Sequence, residues 1–168
     1  MALLVVGMGA LAVGFLLVLL VAALSPARGA APHAWLARLS ADELGRLLEA
    51  LLAELGLDVQ QVRARADGVD LLAVSAAPLA GGRVYVRGVA CPPVGGVGPE
   101  EVRSALDAAR AQGAMKALVA TGGAFSEQAR AAAEGTCAEL VDGAALLELL
   151  RRHGVTPSTV HARTQDRS

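Results

Sequence analysis

Hydrophobic and polar positions divide the chain into two regimes. From Ala2 to Leu24, 23 residues follow one another without a charge. At 1.5 Å per residue such a helix spans about 34 Å, enough to cross a hydrocarbon core of about 30 Å with some tilt. The run therefore predicts a transmembrane anchor over 1–24. A cleaved signal peptide, which would release an exported soluble protein, calls for a positive segment ahead of a shorter apolar stretch. The first positive charges, Arg28 and Arg38, come only after the run, so the positive-inside bias puts the rest of the chain in the cytoplasm. The expectation is a single-pass protein of a bacterial-type inner or plasma membrane. Residues 25–39 carry Pro26, Gly29 and Pro32 without a sustained period and read as a tether, with Trp35 suited to a membrane interface.

Beyond the tether the period changes to that of alternating helices and strands. Ser40-Ala41-Asp42-Glu43 is a capping box. Leu44, Leu47, Leu48, Leu51, Leu52 and Leu55 then recur at helical spacing up to Gly56, a residue suited to close a helix. Residues 57–65 alternate weakly and Val69–Ala76 is a near-continuous apolar run of strand length. Pro78, Gly81 and Gly82 mark a turn into a third strand, Arg83–Ala90. After a loop, Pro99 at the first helical position, with Glu100 and Glu101 in the first turn, opens a helix whose stripe is Val102, Ala105, Leu106 and Ala109 and which ends near Gly113. Met115–Thr121 reads as a buried strand, Ser126 caps a helix through Glu134, Cys137–Val141 is a short strand, and Asp142 caps a last helix to His153. The order αβββαβαβα predicts an α/β domain over 40–153, a central mixed sheet with helices on both faces. Residues 154–168 are a polar tail.

Composition narrows what such a domain can do. With one Trp, one Tyr and two Phe, the core is built from Leu, Val and Ala, and base-stacking platforms of the single-strand-binding kind are nearly excluded. Fifteen basic against sixteen acidic residues give a net charge of −1, without the basic surplus of a dedicated nucleic-acid binder. Lys116 is the only lysine and hence the only candidate for work that needs a titratable amine. Cys91 and Cys137 have no CxxC spacing and no His at ligand spacing, and read as small buried hydrophobes in a reducing cytosol rather than as a disulfide. The glycine pair Gly122-Gly123 before the Ser126 cap is neither a Walker pattern nor GxGxxG and reads as a turn. Arg151-Arg152 complements a helix C-terminus.

From Ser40 to Leu150 the chain resembles the Mrr-type restriction endonuclease domain of the restriction-endonuclease-like superfamily. The resemblance rests on the first helix with its early Glu and Leu-Gly, on Gly68-Val69-Asp70-Leu71, and on Val97-Gly98 leading into the Val102 helix. Its more specific part is the stretch Thr121-Gly122-Gly123-Ala124-Phe125-Ser126-Glu127-Gln128-Ala129, with Leu140-Val141-Asp142-Gly143 ahead of a Leu-rich helix. It implies a three-layer restriction-endonuclease-like fold, DNA as substrate, and Mg²⁺ to neutralise developing charge and activate water. By resemblance Asp70 is the metal-binding aspartate and Glu43 an auxiliary carboxylate. The strand after Asp70 should bring Gln or Glu, any residue, then Lys. Arg87, Gly88 and Val89 stand there instead.

Arg87 can lend positive charge but can neither ligate a cation nor act as a base. Asp70 reads either as a retained metal ligand or as a carboxylate paired with Arg87, and for Glu43 the capping box is a sufficient reason. Two functions from different classes follow. One is an active Mg²⁺-dependent endonuclease of the type IV restriction kind. The other, favoured by the missing lysine, is a catalytically impaired DNA-binding relative at the membrane, or a module for a protein partner or a second copy of itself.

Overall fold

The structure, a computed structural model, describes residues 35–75, 81–90 and 96–156. The predicted anchor, the tether up to residue 34, Cys91 and the end of the tail lie outside the described residues, and Cys137, expected to be buried, is exposed where the chain enters the short strand that begins at Ala138. Among the described residues no helix is long and apolar enough to cross a membrane.

The elements follow the predicted order. Helix α1 covers Ala41–Glu54, strands β1, β2 and β3 cover Leu57–Arg65, Gly68–Ser75 and Arg83–Val89, and helix α2 covers Pro99–Ala111. Strand β4 (Lys116–Thr121), helix α3 (Glu127–Ala133), strand β5 (Ala138–Val141) and helix α4 (Gly143–Arg152) complete the domain. The caps form as read. The Ser40 hydroxyl accepts from the Glu43 amide while the Glu43 carboxylate accepts from the Ser40 amide, and the Ser126 and Asp142 side chains accept from the amides of Ala129 and Ala145.

The five strands form one sheet in the order β1-β2-β3-β4-β5. β1, β2 and β3 are an antiparallel meander, whereas β3, β4 and β5 run parallel. Parallel neighbours need crossovers, and α2 and α3 supply them. On one face α1 and α4 bury Leu44, Leu48, Leu146 and Leu150 against Val69, Leu71, Val86 and Ala120. On the other, α2 and α3 bury Val102, Leu106 and Ala129 against Tyr85, Val89, Ala117 and Val119. A sheet covered on both faces needs apolar residues at successive positions, which is why β2 reads as a nearly unbroken hydrophobic run.

Two features were not visible in the pattern. Strand β1 shifts register between Val59 and Gln61. The irregularity breaks the two-residue alternation, so the strand's sequence looks only weakly periodic, and it turns Gln61, Arg63 and Arg65 towards the face that carries α2. The segment read as tether also contributes to the core. Leu36–Arg38 forms a 3₁₀ turn whose Leu36 is 2% exposed. Its carbonyl lies so close to Gly122 that a Cβ there would collide with it, just as a Cβ on Gly143 would collide with the Gly122 carbonyl. The Gly143 amide donates to the Gly123 carbonyl at 2.7 Å. Gly122-Gly123 is thus a turn, as expected, and the space a phosphate would need is filled by the chain's own backbone.

The close approach makes a testable demand on Gly122. Gly122→Ala is expected to destabilise the fold by about 2 kcal/mol, because backbone rather than a flexible side chain must yield, and to shift the emission of Trp35, the only tryptophan. Urea unfolding followed by that fluorescence measures both. An unchanged midpoint would show that the Leu36 turn is not docked there.

Candidate functional site

Asp70 on β2 stands directly across from Arg87 on β3 and from Arg63 on β1. Residues paired across antiparallel strands share a face, so all three point towards α2. The Arg87 side chain is only 3% exposed. Its Nε donates to Asp70 Oδ1 at 2.9 Å and its Nη2 to Asp70 Oδ2 at 3.3 Å, a two-pronged pair that engages both carboxylate oxygens. Nη2 also donates to the Tyr85 hydroxyl at 3.0 Å, and the guanidinium carbon lies 5.7 Å from that ring's centroid.

A second carboxylate closes the arrangement. Glu101, in the first turn of α2, accepts from Arg87 Nη1 at 3.5 Å and lies 3.6 Å from Arg65 Nη2. Arg65 reaches Asp70 as well, at 3.9 Å, while its Nε is bonded to Asp67 at 3.1 Å. Two guanidiniums and two carboxylates thus form a quartet in which each cation faces both anions. No buried side-chain polar atom is left without a partner among the described residues.

The electrostatics follow from this geometry. Burial works against the charge on Arg87, but the hydrogen bond and charge of Asp70, with Tyr85 behind them, outweigh it and raise the guanidinium's pKa. Burial is the foremost cause pushing the Tyr85 phenol up, reinforced by its hydrogen bond with Asp70 and opposed by Arg87. At the rim, the hydrogen bond between Arg65 and Asp67 raises the one and lowers the other. Beside the quartet lies a cleft of about 130 Å³ bordered by Gln61, Arg63, Tyr85, Arg87 and Gln112.

Other sequence candidates fall elsewhere. Val89 is 6% exposed and packs in the core with Val97, Val102 and Phe125. Glu43 is tied into its capping box on α1, and α1 packs against the opposite face of the sheet, where Leu44 and Leu48 lie over Gly88. Asp70 and Arg87 are therefore brought together and Glu43 is not. Lys116 pairs with Glu139 of β5 at 2.6 Å. It stands opposite Val84 in the register, on the face away from Asp70. Glu101, Tyr85 and Arg65 were missed. For Tyr85 a signal existed in its two-residue spacing from Arg87, while Glu101 already had a sufficient reason in the helix dipole.

The restriction endonuclease model Mrr_cat matches residues 36–150. The chain belongs to this family. The matched span begins at Leu36, the first core residue of the Mrr_cat domain. Among solved structures, the chain is similar to the DNA modification-dependent restriction endonuclease AspBHI, with 21% identity and a TM-score of 0.49 over 73% of this chain and 34% of that one. It is also similar to the MspJI restriction endonuclease in complex with a 27-mer oligonucleotide, with 24% identity and a TM-score of 0.48 over 75% of this chain and 32% of that one. The chain thus spans about a third of the length of each. No curated protein matches it.

Family membership raises the question of Mg²⁺, and the donor set answers it. No group of three or more His, Cys, Asp or Glu residues able to hold a metal occurs among the described residues. Both Asp70 oxygens are taken by Arg87, and the two strand positions that would complete the chemistry hold a guanidinium and a buried valine. Neither offers an oxygen ligand. With Arg87 in place, the residues present do not fit the metal.

Tyr85 is the chain's only tyrosine, so alkaline titration of the phenolate absorbance reads this site alone. A midpoint above the ordinary value of about 10 is expected. Since the folded value is the raised one, the associated stability is fully present below the unfolded value and is lost as pH rises through the folded value. Titration at the ordinary value in the folded protein would contradict the geometry. Arg87→Ala, which leaves two carboxylates facing Arg65 alone, is expected to destabilise the domain by about 3 kcal/mol in urea unfolding.

Proposed function

We propose that this chain is a membrane-tethered Mrr_cat domain that binds DNA and has lost efficient hydrolysis. The observation that carries the reading is the two-pronged hold of Arg87 on Asp70. Phosphodiester hydrolysis by this family's chemistry requires that carboxylate to be free for a divalent cation, and a lysine beside it to steady the attacking water and the developing charge. Here the first is engaged and Val89 stands in place of the second. DNA remains the partner of choice because the family is one of restriction endonucleases. Arg63 also stands exposed at the mouth of the cleft with no ion pair to a described residue, suited to a backbone phosphate.

Tethering rests on the uncharged run from Ala2 to Leu24. With the first positive charges on its C-terminal side, the domain would face the cytoplasm. The full chain is expected to sediment with membranes and to resist alkaline extraction, whereas a chain that starts at Pro32 should be soluble. Release of the full chain by alkaline extraction would remove the anchor from the reading.

Two assays test the DNA reading. No metal-dependent nicking of plasmid DNA is expected from the domain at high protein concentration with Mg²⁺ or Mn²⁺. Nicking that Asp70→Ala abolishes would establish an active endonuclease in its place. Binding to duplex DNA should weaken linearly in log affinity with log salt, and Arg63→Ala should reduce that slope by about 1. A flat salt response, or no binding at low salt, favours a protein partner, in keeping with the net charge of −1.

A further inference from the structure

In the quartet, two guanidiniums supply two positive charges to two carboxylates that converge from different elements, Asp70 from β2 and Glu101 from α2. That is the charge a single divalent cation would bring. The more deeply placed guanidinium is also in the right register. Arg87 is the cross-strand partner of Asp70, so any side chain at this position points at the same spot as the Asp70 carboxylate. The site therefore does not lack a cation; it carries a covalently attached one.

We propose that Arg87, assisted by Arg65, is a built-in replacement for the divalent metal, and that Glu101 is the second carboxylate of the cation site it fills. The inference rests on the reading of the domain as impaired and adds what impairs it. Asp70 is not an orphaned remnant; it is satisfied by a cation that cannot dissociate and cannot activate water. An arginine offers donors in a fixed fork and no acceptor, so it reproduces the metal's neutralising charge and its bridging of two carboxylates. It cannot coordinate an attacking water or a phosphate oxygen in the same sphere. A consequence follows for variants. With glutamine at position 87 an amide oxygen would join Asp70 and Glu101, giving three oxygen donors of the hard kind that Mg²⁺ and Mn²⁺ prefer.

The test uses the full chain purified in detergent micelles, with Mn²⁺ alone as the probe. Its binding is followed by loss of the free-ion electron paramagnetic resonance signal, and folding by circular dichroism. The unmutated chain is expected to show no specific Mn²⁺ binding and no metal-dependent rise in melting temperature. Arg87→Gln should bind Mn²⁺ at least about tenfold more tightly than the unmutated chain. Adding Arg65→Gln should tighten binding further, and adding Glu101→Ala or Asp70→Ala to Arg87→Gln, each of which removes an oxygen donor, should abolish the gain. If Arg87→Gln is unfolded without metal, Mn²⁺ is expected to restore the fold. The proposal is overturned by Mn²⁺ binding in the unmutated chain that Asp70→Ala removes. It is equally overturned if Arg87→Gln folds without gaining a site, or stays unfolded with Mn²⁺ present. These outcomes are independent of plasmid nicking by the unmutated chain, which decides the impaired reading separately.

Discussion

A guanidinium buried to 97% of its side chain would be prohibitively unfavourable in this domain if it stood alone, and the site is built around that constraint. Removing an ion from water is compensated only by close opposite charge and complete hydrogen bonding, and Arg87 receives both. Asp70 takes two of its donors, Tyr85 one and Glu101 another. Each of these residues is positioned by a different device. Cross-strand register sets Asp70, two-residue spacing on one strand sets Tyr85, and the first turn of α2 presents Glu101. The constraint thus ties three elements together at one point.

The same requirement gives meaning to the sheet's topology. β2 and β3 lie inside the sheet with helices on both faces, so Arg87, whose side chain is 3% exposed, depends on its protein partners, while Asp70 keeps 16% exposure beside the cleft. Only the irregularity in β1 opens the arrangement. By turning Gln61, Arg63 and Arg65 towards α2 it places Arg65 against both carboxylates and Arg63 at the entrance of the cleft. The interior half of the network is therefore fixed by regular pairing, while the half that borders the cleft depends on a break in that pairing.

Much of the fold was legible because its signals are local. The capping box at Ser40, the Ser126 and Asp142 caps, Pro99 at a helix start and the period of the Leu stripes each act within a few residues, and every element they announced is present in the announced order. Asp70 and Arg87 were legible too, the one from its place at a strand mouth and the other from the family's spacing. What stayed hidden depends on long-range geometry. No local rule brings Glu101 from the α2 helix to Arg87, since a first-turn glutamate is already explained by the helix dipole. Nor does any period announce that Leu36, in a Pro- and Gly-bearing segment, packs over Gly122. Glu43 was misleading for the converse reason. Its sequence context resembles that of a site residue, but the helix it begins lies on the other face of the sheet.

The two departures from the family's pattern are best understood as one. A lysine at position 89 would share the α2-facing side of β3 with Arg87, and the surroundings of Val89 are Val97, Val102 and Phe125, none of which can answer a charge. Once Arg87 and Arg65 already neutralise Asp70 and Glu101, a further buried cation has no counter-charge left and its desolvation goes uncompensated. Valine instead completes the apolar layer beneath α2. On this argument valine at 89 needs no separate cause: an arginine that settles the charge of Asp70 makes an apolar neighbour the stable choice.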